Sequence, residues 1–325
     1  MSLTSTLLVK EVIVKHDFNK NQDAIGGNLG STTFPKDKIM GGRAIIAGGY
    51  TTTHLNDIEF FDIGHIANAT DFANLSVARS VTGSASDGSR MLTGGGDIPT
   101  PNGSNVIDYV TIKVLSNSTD FGDLTEGRLG LSGVSNGAKA VFGGGSDGSN
   151  VNTLDFVTFN SAANAVDFGN RTETTRGVGA TCDGVRAVFA GGWPTPMPNV
   201  IDYFTVDRKD NATDFGDLSA GRGYTAGCSN GNRGVFGGGL NPVFDTIDFV
   251  VIGNTANATD FGELVQARSS PGSCSDGSRG VWAGGDSPNY DTIDIVALGL
   301  ANGGGATDFG ELITGASGRS GASGD

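Results

Sequence analysis

The chain has 325 residues, 54 of them Gly, with 37% hydrophobic residues and a formal net charge of −14. That acidity disfavours nucleic acid and anionic membrane as partners, and no apolar run approaches the roughly 18 residues of a membrane-spanning helix. The abundance of Val, Ile, Phe and Thr between glycines predicts an all-β chain of many short strands joined by tight turns.

Residues 1–40 stand apart. They hold five of the eight Lys against four acids, and they lack the basic start and long apolar core of a secretory signal. Leu7 to Val14 is compatible with one strand, and the Gly/Asn/Thr-rich stretch from Asp23 to Thr33 predicts loop. This N-terminal extension is expected either to pack on the rest of its own chain or to dock on a partner subunit.

From residue 41 onward one unit recurs. Its clearest mark is Asp-Phe, at Asp71-Phe72, Asp120-Phe121, Asp167-Phe168, Asp214-Phe215, Asp260-Phe261 and Asp308-Phe309. Spacings of 46 to 49 residues between these phrases predict a stacked or circular repeat fold. A first strand ends in a turn such as Ser86-Asp87-Gly88-Ser89 or Ser229-Asn230-Gly231-Asn232, whose Asx-Gly pair suits a two-residue hairpin. A basic residue opens a second strand that runs into paired glycines: Arg43 to Gly49, Arg233 to Gly239, Arg279 to Gly285. A variable loop leads to a third strand carrying Ile-Asp-aromatic, as at Ile107-Asp108-Tyr109, and the Asp-Phe phrase closes the unit. Three strands and a short fourth make a propeller blade. Gly pairs fit places where blades converge on the axis, and each Phe is expected to pack between neighbouring blades.

The order of Arg, hydrophobic run into Gly-Gly, acidic-aromatic strand and aromatic before the next Arg resembles the kelch repeat over residues 41–325. Phe of the Asp-Phe phrase stands where that family has Trp on its fourth strand. The resemblance implies a six-bladed kelch-like β-propeller. The wording Asn257-Ala-Thr-Asp-Phe-Gly-Glu-Leu264 also resembles propeller segments of tailed-phage virion and tail-fibre proteins. The two chain ends complement each other. Residues 318–325 match a first strand and turn with no second strand, and Gly41-Gly42-Arg43 match a turn exit with no first strand. The C-terminal strand is therefore expected to complete the blade begun at residue 43, which removes the open edges of the array.

Chemistry is sparse. His16, His54 and His65 are the only histidines, so no catalytic, metal or cofactor site is expected. The three cysteines are expected to be strand fillers, too far apart to bridge. Two positions recur in every unit: the acids Glu59, Asp108, Asp155, Asp202, Asp248 and Asp294, and the bases Arg43, Arg90, Lys139, Arg186, Arg233 and Arg279. Their recurrence predicts structural roles in ladder pairs or turns. The Asn-x-Thr triplets at Asn68, Asn117, Asn211 and Asn257 are likewise expected to serve turns rather than glycosylation.

What does not repeat is the loop between second and third strands, where seven of the nine prolines fall. Tyr50, Trp193, Phe244 and Tyr290 are there and form the candidate binding set. Arg79, Arg128, Arg222, Arg268 and Arg319 should open the inner strands on the same face, around the channel, in salt bridges. The function expected is non-enzymatic: a virion structural or host-attachment protein, docked to other virion subunits through residues 1–40 and meeting a host-surface glycan or protein with its loops. The alternatives are a cytoplasmic kelch-type protein-interaction adaptor and, behind it, a carbohydrate-active propeller enzyme.

Overall fold

The computed structural model describes residues 42–99, 103–286, 288–300 and 303–324; the extension over residues 1–40 lies outside the described residues. These residues form six four-stranded antiparallel sheets and no helix. In the second blade the strands run from the axis outward as Gly83–Ser86, Arg90–Gly94, Val106–Thr111 and Thr119–Asp123. Four further blades begin at Ser132, Gly179, Ala226 and Gly272. The first blade is made from both ends of the repeat region: Ser320–Gly324 is its inner strand, followed by Arg43–Ala47, Asp57–Asp62 and Thr70–Asn74. Its closing ladder runs antiparallel from Arg43 opposite Gly324 to Ala47 opposite Ser320. The inner strands neighbour one another in blade order and return to the start, so the array is a closed six-bladed β-propeller.

Burial follows distance from the axis. Second strands such as Arg90–Gly94 are buried on both faces after their first residue, which is why they are continuous apolar runs rather than alternating ones. The core lies between blades. One cluster joins Leu92, Ile107 and Phe121 of the second blade to Phe142, Val157 and Phe159 of the third.

The Asp-Phe phrase has a specific job. The ladder between third and outer strands slips in every blade; in the second, Ile107 faces Gly122 while Asp108 faces Asp120. Phe121 is the extra residue of a β-bulge. It is 3% exposed and meets the Tyr109 ring edge-on at 6.0 Å. The Gly after it is needed for close approach, since a Cβ on Gly122 would lie 2.5 Å from the carbonyl oxygen of Ala163 in the next blade.

Two circles of hydrogen bonds fasten the blades. At the axis the N–H of Val81 donates to the carbonyl of Gly318, Gly130 to Val81, Gly177 to Gly130, Tyr224 to Gly177, Ser270 to Tyr224 and Gly318 to Ser270, which closes the circle. All six residues hold left-handed backbone, φ 47–68°. At the rim, backbone N–H groups in one blade's turn donate to the preceding outer strand, as from Ser118 to Asn74 and from Ala165 to Asp123. Beside them the Asn117, Asn164, Asn211, Asn257 and Asn68 side-chain oxygens accept N–H bonds from the same strand ends. The Asn-x-Thr triplets thus clasp neighbouring blades.

Two local expectations are corrected. The two-residue hairpin turns are centred one residue later than the Asx-Gly pair. Beyond Ser86 opposite Met91, the Asp87 N–H donates to the Arg90 carbonyl at 3.1 Å, so Gly88, with φ 88°, and Ser89 are the central pair. The Asp87 carboxylate accepts N–H bonds from Ser89 and Arg90 and so caps the turn. The Gly pairs do not line the axis. They end the second strands, where Gly49 N–H donates to the Arg79 carbonyl at 3.0 Å, tying one blade to the connection that follows it.

Candidate recognition face

Loops between second and third strands and the connections between blades share one face, as bridges such as Ser80–Asp97, Leu129–Ser146 and Arg176–Trp193 show. Directly beneath lie six buried ion pairs, one per blade. Arg79 binds Asp108, Arg128 binds Asp155, Arg222 binds Asp248 and Arg268 binds Asp294, all with side chains 0–1% exposed. The recurring acids are therefore not held by ladder neighbours or turns alone. Each reaches under the loop to an arginine from the connection entering its own blade. Ser76, Thr125, Thr172 and Ser219 complete the set, each giving its hydroxyl to the acid of the blade that follows.

The other two pairs use arginines from different positions. In the fourth blade Thr175 stands where the repeat has Arg, and its carbonyl accepts the Gly145 N–H as the Arg128 carbonyl accepts that of Gly96. The guanidinium comes instead from Arg171, at the position of Leu124, with Nε on Asp202 at 3.2 Å and Nη1 on the Thr175 hydroxyl at 2.7 Å. In the first blade Ala316 holds the Arg position. Arg319, three residues on, reaches the longer acid Glu59 at 2.9 Å. Sequence comparison of the units missed Arg171, although the Leu-to-Arg exchange four residues before the missing Arg is a visible signal.

Burial lowers the pKa of Arg79, Arg128, Arg222, Arg268 and Arg319, and the facing carboxylates oppose that shift. Burial also raises Asp155 and Asp294 against the pull of their arginines. Groups held in this way are committed to the fold. The five arginines of the candidate set are side chains of the interior, not a cationic ring open to the channel.

The four loop aromatics separate into two kinds. Phe244 and Tyr290 are half-buried lids, with the Arg222 and Arg268 guanidinium carbons 5.4 and 5.3 Å from their ring centres. Tyr50 and Trp193 occupy the bridging position of the first and fourth blades, on opposite sides of the ring. Tyr50 is 41% exposed and meets His54 edge-on at 5.2 Å. Trp193 adjoins a cleft lined by Asn150, Glu173, Thr174, Pro194, Thr195 and Pro196. Asn150 Nδ2 donates to the Trp193 carbonyl at 2.8 Å and braces one wall.

The axis itself is lined largely by small residues, including Gly83, Ser84, Ser132, Ala226 and Ser273. Cys182, Cys228 and Cys274 are buried thiols. Burial raises the thiol pKa of Cys228 and Cys274, which leaves them unreactive packing groups. Among the described residues no cluster of His, Cys, Asp and Glu is arranged to hold a metal ion. The second-strand bases stack on third-strand aromatics, as Arg186 does on Tyr203 at 4.4 Å, or bond the turn, as Arg279 does with Asp276. No protein-family model matches the chain, and comparison with curated proteins finds no similar one.

Proposed function

We propose that this protein is a non-enzymatic recognition module of a virion, a tail-fibre or particle-surface component whose loop face meets a host-surface glycan or a neighbouring subunit. The observation that carries this is a division of labour. Every recurring charge under the loops is consumed in an ion pair, while side chains that differ from blade to blade are presented on top of that rigid layer. A recognition surface needs such loops on a fixed frame. The virion setting rests on the likeness of the repeat wording to tailed-phage propeller segments.

The cleft has an amide, a carboxylate and hydroxyls of the kind a neutral sugar uses, in Asn150, Glu173, Thr174 and Thr195, and Trp193 is the aromatic residue next to it in the loop. A glycan array probed with the wild-type chain and with Trp193→Ala tests this. Loss of an anchoring aromatic costs about 2 kcal/mol, so the bound signals should fall by more than tenfold; equal signals from the two proteins would remove the cleft from the function.

A further inference from the structure

Among the described residues, and prolines such as Pro194, Pro196 and Pro242 aside, the large apolar side chains exposed on the loop face lie on one arc. Four of the large exposed hydrophobic residues lie there: Val265 at 47%, Ile313 at 59%, Tyr50 at 41% and Val77 at 37%. Val265 enters the sixth blade, Ile313 enters the first, Tyr50 belongs to the first and Val77 enters the second. The connections into the third, fourth and fifth blades have no counterpart. Val265 and Ile313 replace the hydroxyl residue that caps the buried acid elsewhere. Their backbone N–H groups keep the bond, to Asp294 at 2.8 Å and Glu59 at 2.6 Å. The cap survives without the hydroxyl, so the aliphatic side chains are not required by the ion pair, and they point to solvent.

Contacts link the sixth, first and second blades along the arc. The segment of Ile313 packs on the Tyr290 loop, where a Cβ on Gly315 would meet the Asn289 carbonyl at 3.0 Å. Its far end bridges to Tyr50 at Ser317. His54, edge-on to Tyr50, bonds Ser80, close in sequence to Val77. Acids border the arc. Glu263 and Glu311, both exposed, stand two residues before Val265 and Ile313, and Asp286 and Asp291 are exposed beside Tyr290. Among the described residues no Lys or Arg is exposed on this face; Arg176, in the fourth blade across the ring, is half-buried.

We infer that this arc binds a polypeptide partner through a segment of aliphatic side chains flanked by Lys or Arg. An apolar patch rimmed by one sign of charge selects for that chemistry. A second copy of this chain is disfavoured as occupant, because its own loop face and rim carry the same sign, including the exposed Asp71, Asp120 and Asp308. The inference rests on recognition by the loop face and adds a second, protein-binding locus opposite the Trp193 cleft.

The test uses the full chain and synthetic twelve-residue peptides of alternating Leu-Lys, Leu-Glu and Ser-Lys, with a glycan array in parallel. Leu-Lys peptides should bind at least tenfold more tightly than either control. The charge-neutral double variant Tyr50→Ser/Ile313→Ser should lose that preference, and Glu126→Gln on the far arc should keep it. Equal binding of Leu-Lys and Ser-Lys peptides, or an unchanged preference in the double variant, would overturn the arc while leaving recognition at the cleft intact. Glycan signals that fall with the double variant in the absence of any peptide preference would reassign the arc to sugar. If neither peptides nor glycans bind in a way that depends on loop residues, the recognition function itself fails.

Discussion

At the residue scale the guanidinium–carboxylate pairs decide more than any other group. Removing one member strands a buried charge, at a cost of about 3–5 kcal/mol. The fourth blade offers a cleaner experiment than simple deletion. Arg171→Leu should destabilise the protein by about 3–5 kcal/mol in chemical denaturation, and adding Thr175→Arg should recover most of that loss, because the pair restores the Leu-and-Arg arrangement of the other blades. If the double variant is no more stable than the single, the equivalence of the two arginines is wrong. Much of this was legible in the sequence. Recurrence marked both the acids and most of the arginines as structural, but nothing local linked them. The partners are 26 to 31 residues apart within a blade, and in the first blade Arg319 and Glu59 lie at opposite ends of the repeat region. Pairing became visible only once third strands were placed over the entering connections.

At the element scale, strands were legible and turns were not. Apolar runs and their glycine ends locate the second strands directly. The bulge that turns each Phe inward, and the circle of left-handed residues at the axis, are set by neighbouring blades and leave a mixed signature: Val81, Tyr224 and Ser270 share the conformation that Gly130, Gly177 and Gly318 adopt without a side chain. Their place in the circle explains the tolerance, because each contributes both a donor and an acceptor to it. Gly177 is the member whose nearest neighbour is a side chain, which makes the contact testable. A Cβ there would lie 2.9 Å from the Tyr224 ring, and the left-handed backbone adds about 1–2 kcal/mol for any L side chain. Gly177→Ala should therefore lower stability by about 2–3 kcal/mol. Tyr224→Ala in the same chain should relieve the steric part, seen as a coupling of about 1 kcal/mol in a double-mutant cycle. Simple additivity would mean that the ring does not rest on Gly177.

At the scale of the whole molecule, blade number and closure were both predicted by the repeat and its two incomplete ends, and the Ser320–Gly324 ladder bears them out. Deleting residues 316–325 removes the inner strand of the first blade, one link of the axial circle and the partner of Glu59 together. The expected outcome is loss of the cooperative thermal transition and aggregation on size exclusion; an unchanged melting temperature would contradict closure by that strand. The functional face was legible only as a set of irregular loops. Which aromatics cover an arginine and which take the bridging position depends on the position of each within its loop, and proline-rich stretches of unequal length hide that alignment.

The relocated arginine of the fourth blade also constrains how the repeats diverged. A chain that lost the arginine at position 175 first would have carried Asp202 buried and bare, at a cost comparable with the stability of a typical domain. A route through both arginines at once avoids that bare acid. Thr175→Arg alone builds the state in which two arginines share one carboxylate, and its stability can be measured.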